Sequence, residues 1–236
     1  MKISGSGRLS AGKINEELHT SGSTRIEGDF ECYGFSSSGS FRGSGNLTVH
    51  GDIRSSGSFR LTGSIYGDGD ARSSGSIRID GEISIRGTIG SSGSLRVGNT
   101  IKALQGIKFS GSSIVKGDLL SERSIKITGS TTVYGDVKGN NIYINVGRVL
   151  GGRRAFKHPA KVYGNMFANN NLELVRILVE GDVRGRNVKI GRNTEILGKV
   201  YYIDTIEINE KSILKYDPIQ ISVDKLDTPN NINKQV

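Results

Sequence analysis

The residues best equipped for acid–base or nucleophilic chemistry are three histidines, His19, His50 and His158, and a single cysteine, Cys32. Covalent catalysis needs a nucleophile within hydrogen-bond reach of a base that a third group orients. The three histidines fall on different stretches, and Cys32 has no evident base partner. Hydrolysis by paired carboxylates would need clustered acids. Asp68, Asp70 and Asp80 are close in sequence, but Asp beside Gly is the composition of a turn. Gly67-Asp68-Gly69-Asp70 is also too short for calcium, which takes six or more oxygens. The expectation is therefore a protein that is not an enzyme, with no catalytic, cofactor-binding or metal-ligating residues.

The chemistry that does recur at a fixed spacing is basic. Arg25, Arg42, Arg60, Arg78 and Arg96 form one series, and Arg54, Arg72, Lys108 and Lys126 a second. The formal net charge is +9. Stacked like charges repel, and an anionic partner would relieve the repulsion. That partner would be a membrane surface or a cell-envelope polymer, with nucleic acid the least favoured. The simpler reading is a solvated face that discourages lateral aggregation. A further basic group, Arg148, Arg153, Arg154 and Lys157, surrounds Phe156 and suits either docking on an acidic surface or a decorated insertion without a role.

A regular spacing of charges requires a regular backbone. Gly22, Gly39, Gly57, Gly75, Gly93, Gly111 and Gly129 recur at intervals of 17 and then 18 residues. A second column (Gly28, Gly45, Gly63, Gly81, Asn99, Gly117, Gly135) lies six residues on, and a third (Gly34, Gly51, Gly69, Gly87) six beyond that. The unit is six residues, and three units make a coil. Gly and Asn at this spacing suit corners that need φ > 0. Between corners the apolar residues alternate, as in Phe59 and Leu61, Ile77 and Ile79, or Ile83 and Ile85. Period two places them on one face, inward, with the arginines pointing out. The serines flanking the first corner suit hydrogen-bonded ladders or simply small side chains. The fold expected is all-β: a single-stranded triangular β-helix, or β-solenoid, of about eleven coils. With an axial step of roughly 4.8 Å it makes a rod on the order of 50 Å long. Apolar residues supply only 34% of the chain, and a stack that packs each against its equivalent in the next coil makes that sufficient.

The organisation follows. Residues 1–20 are an N-terminal segment, a first coil or a cap, and 21–147 are regular 18-residue coils. Residues 148–160 are a basic excursion, 161–216 continue the coils, and 217–236 are a flexible tail, with one last strand at Ile219, Ile221 and Val223 the alternative for its start. Exposed strand edges at either end template further pairing. The apolar candidates there are Ile203, Ile206, Ile208, Ile213, Leu214 and Tyr216 at the C-terminal end, and Ile3, Leu9, Ile14 and Leu18 at the N-terminal end. One cysteine, no apolar signal core and no run of roughly 20 apolar residues point to a cytoplasmic chain, with membrane association open to it.

Several words resemble those of the bactofilins, the bacterial polymer-forming cytoskeletal family. They are Val133-Tyr134-Gly135-Asp136-Val137 and Val179-Glu180-Gly181-Asp182-Val183. The latter leads to Asn187-Val188-Lys189-Ile190-Gly191 and Ile196-Leu197-Gly198-Lys199-Val200. Ile26-Glu27-Gly28-Asp29-Phe30 is a looser version. The resemblance implies a right-handed helix that joins end to end into nucleotide-independent, non-polar filaments. It implies a scaffold for localising client proteins in cell shape, envelope or motility, with itself or a related co-assembling chain as partner. The extra length and the basic excursion depart from the family pattern. The alternatives are a non-polymerising adaptor that binds an anionic surface through the basic columns, and, less favoured, a hexapeptide-repeat acyltransferase.

Overall fold

The computed structural model describes residues 1–147 and 159–225. Among them 31 strands form one continuous parallel sheet that coils upon itself as a β-solenoid. Five strands, Ser6–Lys13, Ser23–Cys32, Met166–Val175, Val183–Ile190 and Val200–Ile208, run through a corner and serve two faces, which gives about twelve turns. The extra turn arises because residues 1–20 are a coil and not a cap. Lys2 and Ile3 pair with His19 and Thr20, and Ser6 to Leu9 pair with Ser23 to Ile26.

The corner glycines are required by space rather than by torsion. Of the glycines in the three predicted columns, only Gly28 has a positive φ, at 88°. A Cβ on Gly75 would meet the carbonyl oxygen of Gly57 at 1.9 Å, and one on Gly93 would meet that of Gly75 at 2.0 Å. The coils approach so closely at this corner that only hydrogen fits. The serine ladder is likewise a backbone ladder: Ser58 and Ser76 donate their N–H groups to Gly39 and Gly57 oxygens, at 3.0 Å each. Beyond residue 160 this corner changes type. Arg176 and Asn193 take left-handed conformations there, at φ 60° and 56°.

The second corner explains the Gly-Asp words. The side chain after the corner accepts the backbone N–H of the next coil. Asn46 N donates to Asp29 Oδ1 and Ser64 N to Asn46 Oδ1, at 2.7 and 2.9 Å. Farther along, Asp136 N donates to Asp118, Asn165 N to Asp136 and Lys199 N to Asp182, each at 2.8 Å. Each such bond satisfies a corner N–H that the sheet leaves without a partner. At the third corner, Asn171 donates to Asn141, and Asn187 to Asn171, at 3.0 and 3.3 Å.

Inward residues stack in columns. On the third face the column reads Phe35, Ile53, Ala71, Ile89, Ile107 and Ile125. Beside it a column of small residues, Thr20, Ser37, Ser55, Ser73 and Ser91, leaves room for the rings of Phe35, Phe41 and Phe59. Phe41 and Phe59 are stacked with centroids 4.6 Å apart, and Phe35 meets Phe41 edge-on at 4.9 Å. One coil beyond Phe59 no ring is present, and a cavity of about 40 Å³ opens beside Ala71.

Two boundaries shift. Ala160 pairs with Thr131, so the coils predicted to continue from 161 include one residue more. The predicted tail begins in regular structure, because Ile219–Gln220 pairs with Tyr201 and Tyr202 and a short 3-10 turn follows at Val223–Lys225.

Candidate functional site: open end coils and charged ladders

The last coil is apolar and uncovered among the described residues. Its strand segments, Thr205 to Ile208, Ile213–Leu214 and Ile219–Gln220, are paired on one edge only. Ile208, Ile213, Tyr216, Ile219 and Val223 are exposed, five of the eleven large apolar residues exposed among the described residues. Ile206 and Leu214 are half-buried against the core. Ile203, named from sequence as part of this surface, is 7% exposed and belongs to the core. It faces inward under Gln220, whose amide donates to the Ile203 carbonyl at 2.9 Å.

At the opposite end Ile3, Leu9 and Ile14 are half-buried, as expected of a coil packed on one side. Leu18 is 0% exposed and is a second correction: it sits a full coil in, paired with Phe35. Lys2–Ile3 and Ser6–Lys13 are the edge strands at this end.

The arginine series is a true ladder. Arg25, Arg42, Arg60, Arg78 and Arg96 are register partners on one face, and Arg8 heads the column. Sequence reading missed Arg8, although it lies 17 residues before Arg25, the spacing of the first coils. Arg8 and Arg25 share Glu27, at 2.6 and 3.1 Å, and Arg78 pairs with Asp80 at 2.9 Å. Arg42, Arg60 and Arg96 have no carboxylate partner among the described residues. The column ends where Ile114 pairs with Arg96. In the second basic column Arg54 and Arg72 are neutralised by Asp52 and Asp70, at 2.8 and 3.0 Å, and Gly90 interrupts the run before Lys108 and Lys126. Arg148, Arg153, Arg154 and Lys157 lie outside the described residues.

Two axial arrangements were not anticipated from sequence. His50 is bracketed by carboxylates one coil to either side: its Nε2 lies 2.7 Å from Glu31 and its Nδ1 3.0 Å from Asp68. Lys13 reaches Glu31 at 2.6 Å and Arg86 reaches Asp68 at 3.4 Å, so basic and acidic side chains alternate across five coils. Hydrogen bonds to Glu31 and then Asp68 raise the His50 pKa above the ordinary imidazole value, and those from Lys13 and His50 lower that of Glu31. On the second face Arg184 lies 5.4 Å from the Phe167 ring centroid and 4.8 Å from that of Tyr201, while Lys138 approaches Phe167 at 5.5 Å. Cys32 is fully buried, and burial pushes its pKa up to about 12. A thiol held protonated is a poor nucleophile. No group of three metal-ligating side chains is gathered among the described residues, and no helix there is long and apolar enough to cross a membrane.

No protein family, curated protein or solved structure matches the chain in comparisons of sequence and of fold.

Proposed function

We propose that this protein is a structural scaffold that assembles end to end through its terminal coils into nucleotide-independent filaments, the behaviour that its resemblance to the bactofilins implies. The observation that carries the reading is the concentration of exposed Ile208, Ile213, Tyr216 and Ile219 on a coil whose outer edge is unpaired among the described residues. A solenoid coil is stabilised by its neighbours on both sides, and an apolar last coil gains by acquiring one. In this reading the partner is the chain itself or a related co-assembling chain. The faces of the rod remain free for client proteins, and no step is catalytic.

The test is electron microscopy of the purified chain without nucleotide. Filaments are expected from the native chain. Rods of roughly 55 Å, twelve rungs at the inter-strand spacing, are expected from Ile208→Asp with Ile213→Asp. Both side chains are exposed, so the β signal in circular dichroism should be unchanged. A native chain that stays monodisperse at high concentration would defeat the proposal.

A second reading is favoured by the three arginines that lack a carboxylate among the described residues. It makes the ladder face a contact for an anionic membrane surface. Co-sedimentation with acidic vesicles should then fall steeply with salt and vanish on changing Arg42, Arg60 and Arg96 to Glu. Equal binding by that variant would exclude it.

A further inference from the structure

The two ends of the rod are related by phase, register and charge. The last three described rungs fall on the third, first and second faces in turn, at Thr205 to Ile208, Ile213–Leu214 and Ile219–Gln220. The chain begins on the third face again, with Lys2–Ile3, and passes to the first and second with Ser6–Lys13. A second copy placed below the last coil therefore takes up the winding at the face where the first leaves it.

Register follows the columns. One column on the third face starts at Ile3 and runs through Thr20, Ser37, Phe109 and Ile190 to Ile208. Another on the first face starts at Leu9 and ends at Leu214, by way of Ile26, Val97 and Ile196. Continued into a second copy, these columns set Ile3 on Ile208 and Leu9 on Leu214. These are apolar side chains that each end now leaves incompletely covered. The outward column beside the Ile3 column, on the same face, begins at Lys2 and ends Glu173, Lys189, Glu207. Lys189 already pairs with Glu207 at 3.0 Å. The next member in a second copy is Lys2, so the alternation of sign continues across the joint.

The symmetric alternative lacks this fit. A joint between two N-terminal coils brings two copies of Lys2 together, where the head-to-tail joint sets Lys2 on Glu207. It also replaces parallel pairing with antiparallel pairing. We infer that the chain assembles head to tail into a polar filament, with Lys2 of one copy stacked on Glu207 of the next. This differs from the non-polar filament that the family resemblance implies, and it rests on the proposal of end-to-end assembly.

Neighbouring rungs bring Cα atoms to roughly 4.8 Å, within the span of a disulfide. Lys2→Cys with Glu207→Cys in one chain, oxidised under assembly conditions, should give a ladder of covalent multimers on a non-reducing gel. The single variants should give monomer, since Cys32 is buried. Covalent dimers from either single variant would establish a symmetric joint and overturn the inference while leaving assembly intact. Filaments by microscopy without cross-links in the double variant would overturn the register. An absence of filaments and cross-links alike would defeat the assembly proposal itself. As a second measurement, Glu207→Lys should raise the critical concentration roughly fivefold. Adding Lys2→Glu to that chain should restore it. A double exchange no better than the single one would also overturn the register.

Discussion

Filling the core beside Ala71 should stabilise the coil stack. Ala71 interrupts a column in which Ile53 precedes it and Ile89, Ile107 and Ile125 follow. The cavity there measures about 40 Å³ and is walled by Ile53, Ile77, Ile89 and Leu95 among others. At about 24 cal/mol per Å³, such a void costs about 1 kcal/mol. Ala71→Val introduces two methyl carbons at the mouth of that space, on a strand where a β-branched residue is favoured. Their full burial is worth about 1.6 kcal/mol, reduced by the side chain's partial exposure and lost rotamer freedom. The expected gain is about 1 kcal/mol. It should be read in urea denaturation followed by circular dichroism, as a raised midpoint at unchanged slope. Ile89→Ala in the same wall should cost about 2–5 kcal/mol by enlarging the void. A destabilised Ala71→Val variant would show that the space is not available to a side chain, and the packing argument would fail.

Three further outcomes follow from the ladders and corners. Gly75→Ala should destabilise by about 3 kcal/mol or more, since its Cβ would sit 1.9 Å from a carbonyl oxygen held by stacked coils. Gly90→Ala, whose nearest contact is the Arg72 Cγ at 4.0 Å, should be neutral or slightly stabilising by the same melts, and equal effects would refute the steric account. The stabilisation that His50 contributes should be complete below the ordinary imidazole pKa and fade as pH rises through its raised folded value. The stability difference between native chain and His50→Asn should therefore shrink between those two pH values, and a difference flat across them would contradict the bracketing. Cys32 should resist iodoacetamide in the folded chain and react only on unfolding, so rapid labelling without denaturant would show that the core there is open.

The coil was legible because its determinants are local and repeat. Glycines at 18-residue spacing and apolar residues at period two leave one arrangement that buries the latter, and the face assignments of Phe59, Ile77 and Ile83 followed directly. The reason for the glycines was not legible. A positive φ is a property of one residue, whereas the contact of Gly75 with Gly57 spans a coil and depends on the axial step. The ends were half legible for the same reason. Ile203 and Leu18 carry the alternation of any inward residue, and nothing local marks Leu18 as one coil deeper than Ile3. The bracketing of His50 needed exact register, since Glu31 and Asp68 lie 19 and 18 residues away. Spacing alone fixes such a partner only when every coil has the same length, and the early coils mix 17 and 18.

The proposed joints should be weaker than the coils they connect. Inside the rod, Val183–Ile190 and Val200–Ile208 share seven paired positions, whereas the terminal strands Ile213–Leu214 and Ile219–Gln220 offer two residues each. A joint therefore forms fewer ladder bonds than an internal interface. Its formation also costs translational and rotational freedom that coils in one chain have already given up. Repeat stability is close to a sum of nearest-neighbour terms, so the weakest interface yields first. In a urea series, filaments should shorten and vanish from the sedimenting fraction while circular dichroism still reports an intact solenoid. Coincident loss of both signals would mean that the ends are held as firmly as the interior, and the contacts assigned to Ile208 and Leu214 would then be too few to account for it.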